Sequence, residues 1–293
     1  MTGPVVVGLD GSPASVTAAW WAAREAMGRR LPLVLLHSWT TQPLNVPIAQ
    51  EALSKQRYGG QVLQRMESEL LHRYEDLALT TELVSDPASK VLVDLSDTAS
   101  LLVLGSRGQG SVASFLLGSI SLHVLGLTRC PAVTVRAGDP AVETGWGRPT
   151  EGDRHEIVVG VPEAGPATDP LLEFAFTTAE SRGARVRAVR ALPLSSLVTH
   201  PHTAQADGGY EVDEQARLAA ALAPWREKFP AVDVVYHVAR GPAAQVLLRA
   251  SAPSALTVLG RKRHPSPLAW KLGPVAHAAL HHVPCPVAIV PHD

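Results

Sequence analysis

Gly105, Gly108, Gly110 and Gly118 punctuate a loop that follows an apolar run, and Ser119, Ile120 and Ser121 come directly after it. Glycine lets a backbone approach a bulky anion closely and adopt positive φ. A helix starting at Gly118-Ser119 presents unbonded amides and the positive end of its dipole to the same anion. Ser119 and Ser121 add hydroxyl donors, and Arg107 adds a charge. This is the composition of a phosphate cradle. It is not a Walker A loop, because no Lys-Ser/Thr pair follows the glycines. It is not the dinucleotide fingerprint either, because the glycine spacing differs and the loop follows a fourth strand rather than a first. On glycines alone, a flexible Gly-Ser surface loop is the competing reading. A second loop, Leu9-Asp10-Gly11-Ser12, ends the first strand, where Asp10 serves either as a ligand-facing acid or as a turn acid before a helix.

The elements that must position these loops occur twice. Gly105 and Gly118 recur as Gly260 and Gly273, each 155 positions on. CysProAlaVal at 130–133 recurs as CysProValAla at 285–288, and ValValValGly at 5–8 as IleValValGly at 157–160. Glu25 and Gly28 align with Glu180 and Gly183 at the same spacing of 155. The second copy departs in its loops. Pro162 stands for Asp10, Arg263 for Gly108 and Pro274 for Ser119. Arg263 bars close backbone approach, and Pro274 removes an amide and a hydroxyl. One intact and one damaged loop imply one ligand site, in the first copy. The cluster Arg261-Lys262-Arg263-His264 could hold an anion from solvent, but reads first as a solvated basic turn.

Within the first copy, short apolar runs alternate with helical periodicity. Strands are expected at Val5–Leu9, Leu33–His37, Thr80–Val84, Leu101–Gly105 and Ala132–Arg136. Ser12-Pro13 signals a helix start, and Gly28 its end. Further helices are expected over 50–74, 88–96 and 119–127. Such alternation implies a parallel sheet covered by helices on both faces. Residues 137–154, rich in Gly, Pro and charge, read as a linker. The domains are therefore placed at 1–140 and 155–293, joined by 141–154, with the boundary near residue 146.

The 293 residues suffice for two domains. A net charge of −1 provides no field for nucleic acid or anionic lipid. No apolar run approaches the ~20 residues of a membrane span. The opening lacks a basic region and a long apolar core, so no signal peptide is expected. Two cysteines do not make a disulfide framework. A cytoplasmic location follows as the expectation.

The spacing Gly-x2-Gly-x9-Gly-Ser, met by Gly105, Gly108, Gly118 and Ser119, resembles the ATP-binding motif of the universal stress protein family. ValGlyLeuAspGlySer at 7–12, LeuLeuHis at 35–37 and CysProAlaVal at 130–133 fit the same family. The resemblance covers essentially the whole chain as a tandem pair. It implies two doubly wound α/β domains with open five-stranded, mostly parallel sheets of the adenine-nucleotide α-hydrolase-like type. It implies that Asp10 contacts the ribose or base region and that the Gly8 backbone lies against the nucleotide. Ser38 resembles the position whose backbone bonds adenine, and Leu104 and Gly105 those that line the ribose. Gly108, Gly118, Ser119 and Ile120 resemble the triphosphate cradle, with Arg107 beside them. The implied cofactors are ATP and Mg, the ion held mainly through phosphates and water. The implied role is a nucleotide-dependent sensor or regulator in stress response or dormancy, with an unidentified protein partner. Homodimerisation through the last strands, 132–136 and 287–290, is a further expectation. A slow ATPase or self-phosphorylating enzyme is one alternative; a scaffold binding cyclic AMP or nothing is another.

Three remaining features have structural expectations. Cys130 and Cys285 read as buried thiols rather than as a redox pair. His277 and His281 have metal-binding spacing on a helix but read as exposed side chains. Of Trp20 and Trp21, one is expected to pack in the core and the other to be partly exposed. No nucleophile–base–acid arrangement is evident around Ser12 or Ser119.

Overall fold

A computed structural model describes residues 3–41, 48–106, 118–139, 142, 155–162, 165–193, 207–263 and 272–293. The chain divides into two compact units, one built on Met1–Thr150, the other on Glu151–Pro265 and Leu272–Asp293.

The first unit contains β1 (Val5–Gly8), α1 (Pro13–Arg29), β2 (Leu33–Ser38), α2 (Ile48–Arg73), β3 (Leu79–Val84), α3 (Ala88–Leu95), β4 (Leu101–Ser106), α4 (Ser119–Leu127) and β5 (Ala132–Arg136). Its strands lie in the order β3-β2-β1-β4-β5, and the pairings of β1, β2, β3, β4 and β5 within it are parallel. Val5, Val6 and Val7 are buried, as befits a central strand covered on both faces. The chain leaves β1 towards β2 on one side and β4 on the other, so the strand order reverses at β1/β4. Ligand crevices open at such points, beyond the carboxyl ends of the strands.

The second unit repeats the plan with β6 (Glu156–Gly160), α5 (Asp169–Arg182), β7 (Arg185–Leu192), α6 (Asp207–Lys228), β8 (Val234–Arg240), α7 (Ala243–Ser251), β9 (Leu256–Lys262), α8 (Pro274–His282) and β10 (Val287–His292). The order is β8-β7-β6-β9-β10, again parallel.

Two sequence expectations change in α1. The helix runs through Gly28 to Arg29, and Arg30 takes the left-handed turn, with φ 55°. The Leu31 amide donates to the Ala26 carbonyl at 2.9 Å and the Arg30 amide to Met27 at 3.2 Å, which closes the helix without glycine at the turn. Glu25 and Arg29 pair at 2.7 Å across this last turn. In α5 the left-handed residue is Gly183, with φ 60°. Arg30, not Gly28, is therefore the counterpart of Gly183. The helices correspond at a spacing of 153, so buried Glu25 aligns with buried Thr178 rather than with Glu180. Burial decides the alignment: Ala18, Trp21, Ala22 and Ala26 fall on Leu171, Phe174, Ala175 and Ala179.

Trp21 is buried and Trp20 half-buried, as expected. Cys130 and Cys285 are buried thiols outside any disulfide. Burial pushes the Cys130 thiol up to about 11, which leaves it protonated and a poor nucleophile at neutral pH.

Gly105 is the tightest point between sheet and helix at the switch point. A Cβ there would lie 2.7 Å from both the Ala14 carbonyl carbon and the Ser15 nitrogen. Both are backbone atoms that cannot swing aside. Gly60, within α2, has open space at its Cβ position. We predict that Gly105→Ala destabilises the first unit by about 1–3 kcal/mol through overpacking. Gly60→Ala leaves it unchanged or gains up to about 1 kcal/mol from helix propensity. Urea unfolding of the two variants, followed by tryptophan fluorescence, measures both effects.

Candidate functional site

At the carboxyl ends of β1 and β4 the first unit holds a cavity of about 110 Å³. Its wall includes Gly8, Asp10, Ser38 and Leu104 from strand ends and their loops, together with Gly105. Gly118, Ser119 and Ile120 reach it from the start of α4. These eight sequence-derived site residues thus surround one space. Arg107 and Gly108 lie outside the described residues, as does Gly110.

The loop after β1 is held by its own short side chains. The Asp10 carboxylate accepts a hydrogen bond from the Ser12 amide at 2.9 Å, and the Asp10 amide donates to Ser15 Oγ at 3.3 Å. Ser12 caps α1, its hydroxyl accepting from the Ser15 amide at 3.2 Å, while Ser15 Oγ donates to the Ser12 carbonyl at 2.9 Å. Gly11 turns with φ 79°, and the Tyr58 hydroxyl occupies the space a side chain there would need. Asp10 is the turn acid, and it also lines the cavity.

Gly118 is the N-cap of α4, with φ −64° and ψ 149°, and no side-chain hydrogen bond caps the helix among the described residues. The first-turn amides carry the positive end of the helix and border the cavity. Ser121 Oγ donates to the Gly105 carbonyl at 3.3 Å, tying α4 to β4. Ser38 Oγ donates to the Asp86 carbonyl at 2.7 Å, which ties the end of β2 to the loop before α3. Gly8 would meet only ordinary contacts from Leu104 and Leu92 if it carried a Cβ, at 3.5 Å each. Packing alone does not demand a glycine there. Gly105, by contrast, is required by α1, a reason the loop pattern did not reveal. Ser15, Leu36, Ala88 and Leu92 complete the wall without having been singled out. They lie inside helices and strands; Leu36 belongs to the LeuLeuHis run, but no motif gave any of the four a place at the site.

The matching place in the second unit is built otherwise. β6–β7 register puts Arg190 where β1–β2 register puts His37. Arg190 donates to the Pro162 carbonyl and to the buried Glu214 carboxylate, each at 2.6 Å. Arg217 also donates to Glu214, at 2.6 Å. Glu214 in turn occupies the helix position that Gly59 holds in α2. Arg261, expected in a solvated turn, is buried at 8% exposure within β9, where desolvation lowers its pKa. Arg263 lies 3.7 Å from the Asp293 carboxylate, and His264 lies outside the described residues. Gly273 caps α8 with nearly the same backbone as Gly118, but Pro274 follows it with no amide to offer.

Fold and site together define a tandem α/β protein whose first repeat opens a glycine-lined crevice, mainly apolar with a few polar groups, at a strand switch point. The family model "Universal stress protein family" matches residues 1–136 and again 154–291, and the chain belongs to that family. It is 29% identical to universal stress protein Rv2005c of Mycobacterium tuberculosis, covering 97% of this chain and 96% of that one. A universal stress protein of Mycolicibacterium smegmatis is 27% identical over 98% of this chain and 96% of its own. Among solved structures, a universal stress protein from Archaeoglobus fulgidus superposes with a TM-score of 0.70 at 17% identity, covering 99% of this chain and 98% of its own. No helix among the described residues is long and apolar enough to cross a membrane.

His37 sits behind the cavity, 1% exposed. Its Nδ1 lies 2.8 Å from the Leu9 carbonyl, a contact that makes Nδ1 the protonated nitrogen of the neutral ring. Nε2 is buried with no hydrogen-bond partner among the described residues, facing Gly59. Burial lowers the ring's pKa below 6.5, against smaller upward contributions from the Leu9 carbonyl and Asp10. Above pH 6.5 the ring is neutral in both folded and unfolded chains and this contact is fully expressed. As pH falls below 6.5, the unfolded ring takes a proton that the folded ring refuses, and stability is lost. Thermal unfolding from pH 7.5 to 5 is expected to show the first unit weakening with acidification. His37→Asn, which titrates at neither pH, should show a shallower fall.

Proposed function

We propose that the first unit binds an adenine nucleotide, ATP with Mg, and that the chain acts as a nucleotide-dependent sensor or regulator in stress response or dormancy. The observation that carries this reading is the convergence of Asp10, Gly105 and the uncapped start of α4 on one cavity. The α4 amides suit phosphate oxygens, and Asp10 suits hydroxyl donors of a ribose. Gly8, Leu104 and Gly105 offer a low wall against which a sugar or base can lie. Ser38 presents backbone groups for an adenine edge. Mg prefers oxygen ligands and retains water. Asp10 is the only carboxylate lining the cavity among the described residues, which fits an ion carried in on the phosphates rather than caged by protein.

The hydroxyls of Ser12 and Ser15 are engaged with the loop's own backbone. That favours binding over nucleophilic turnover. The second unit is proposed to bind no nucleotide in this manner. Arg190 and Glu214 fill the place of His37 and Gly59, and Pro162 and Pro274 remove the carboxylate and the first helix amide.

Calorimetric titration of nucleotide-stripped protein with Mg-ATP tests the reading. Wild type is expected to bind saturably. Gly118→Trp should abolish binding by filling the cavity, and Asp10→Ala should weaken it about tenfold or more, the loss of a charge-assisted hydrogen bond of about 1.5–3 kcal/mol. Circular dichroism should stay native for both. Unchanged affinity in both variants would sink the assignment.

A further inference from the structure

In the second unit, helix α8 carries two histidines one turn apart. The rings of His277 and His281 face one another, with centroids 4.6 Å apart and planes inclined by 27°. His277 is exposed and His281 half-buried. The ring of His282 lies 6.3 Å from that of His281 and is more steeply inclined, at 53°.

The helix beneath the pair is anchored. Ala276, Ala279 and Leu280 are buried, Pro274 starts the helix, and the Val283 amide closes its last turn on Ala279 at 2.9 Å. Positions four apart on one helix share a face, so both imidazoles rise from one rigid base. Imidazole nitrogen selects zinc, nickel and copper, whereas Mg and Ca demand oxygen. With metal–nitrogen bonds of about 2.0–2.1 Å, two donor nitrogens must come to roughly 3 Å of each other. The ring centroids lie 4.6 Å apart, so the two imidazoles already stand side by side on that base.

We propose that His277 and His281 form a chelating site for a divalent transition-metal ion of the imidazole-preferring class, with Cu(II) the tightest. Water completes the coordination. No group of three or more His, Cys, Asp or Glu side chains forms a metal cluster among the described residues, so this is an open two-ligand site. Such a site exchanges its metal readily and leaves coordination positions free. It does not depend on the nucleotide reading of the first unit.

The test uses the full chain, dialysed against a chelator and titrated with CuCl₂, NiCl₂ or MgCl₂ at pH 7.5. The chain has twelve histidines, so variants must locate the site. His277→Ala and His281→Ala are each expected to weaken the tightest Cu(II) and Ni(II) site at least tenfold, and His282→Ala to leave it unchanged. Alanine favours helix, so the variants keep the fold, and circular dichroism checks this. Mg should not compete. The electron paramagnetic resonance spectrum of the 1:1 Cu(II) complex should report two imidazole nitrogens, falling to one in either variant. Equal Cu(II) affinity in wild type and the His277→Ala/His281→Ala double variant overturns the proposal, as does the absence of saturable Cu(II) binding.

Discussion

In the first unit a strand and a helix touch with no side chain between them. Gly105 on β4 lies against the backbone of Ala14 and Ser15, and a single added carbon would strike both. That contact draws the first turn of α1, and with it the Asp10–Ser12 turn, onto the end of β4. The start of α4 is tied to the Gly105 carbonyl through Ser121. Two loops from distant parts of the sequence thereby share one cavity. The second unit lacks this approach: the Cβ position of Gly260 meets the side chains of Leu171 and His292, each at 3.0 Å. A short 3₁₀ turn, Pro166–Thr168, stands where α1 has its first turn.

One strand position illustrates how the two repeats diverged in chemistry while keeping their geometry. His37 and Arg190 both reach back to a carbonyl at the end of the preceding central strand, Leu9 in one case and Pro162 in the other. The neutral histidine needs a glycine beside it on α2, because its ring fills that space. The arginine needs a counter-charge and finds Glu214, 2% exposed in side chain, which Arg217 also approaches. Removing either partner of a buried pair strands the other charge. Such a pair rigidifies the second unit's strand ends, whereas the first unit leaves them lined by small residues.

Most of this architecture was legible in the sequence because buried parallel strands and capped helices leave strong local signals. β5 and α4 fall on their expected residues, and the other first-unit elements end within two positions of expectation. The α1 terminus was misread because glycine is the usual left-handed residue, while hydrogen bonding here places that role on Arg30. The slip carried Glu25 onto Glu180, where burial pairs it with Thr178. Arg261 was misread because a run of basic residues suggests solvent, yet strand alternation turns its side chain inward. The cavity's glycines and Asp10 could be named from motif spacing. Ser15, Leu92 and the clasp of His37 could not, since their roles exist only once the sheet is assembled.

The central claim is that one repeat carries the nucleotide site and the other does not. Native mass spectrometry of the intact chain with excess Mg-ATP counts bound nucleotides directly. A single added ATP per chain is expected, still single at saturating concentration. Two specifically bound nucleotides per chain would contradict it, because the Arg190–Glu214 pair and Pro274 would then not have closed the second unit.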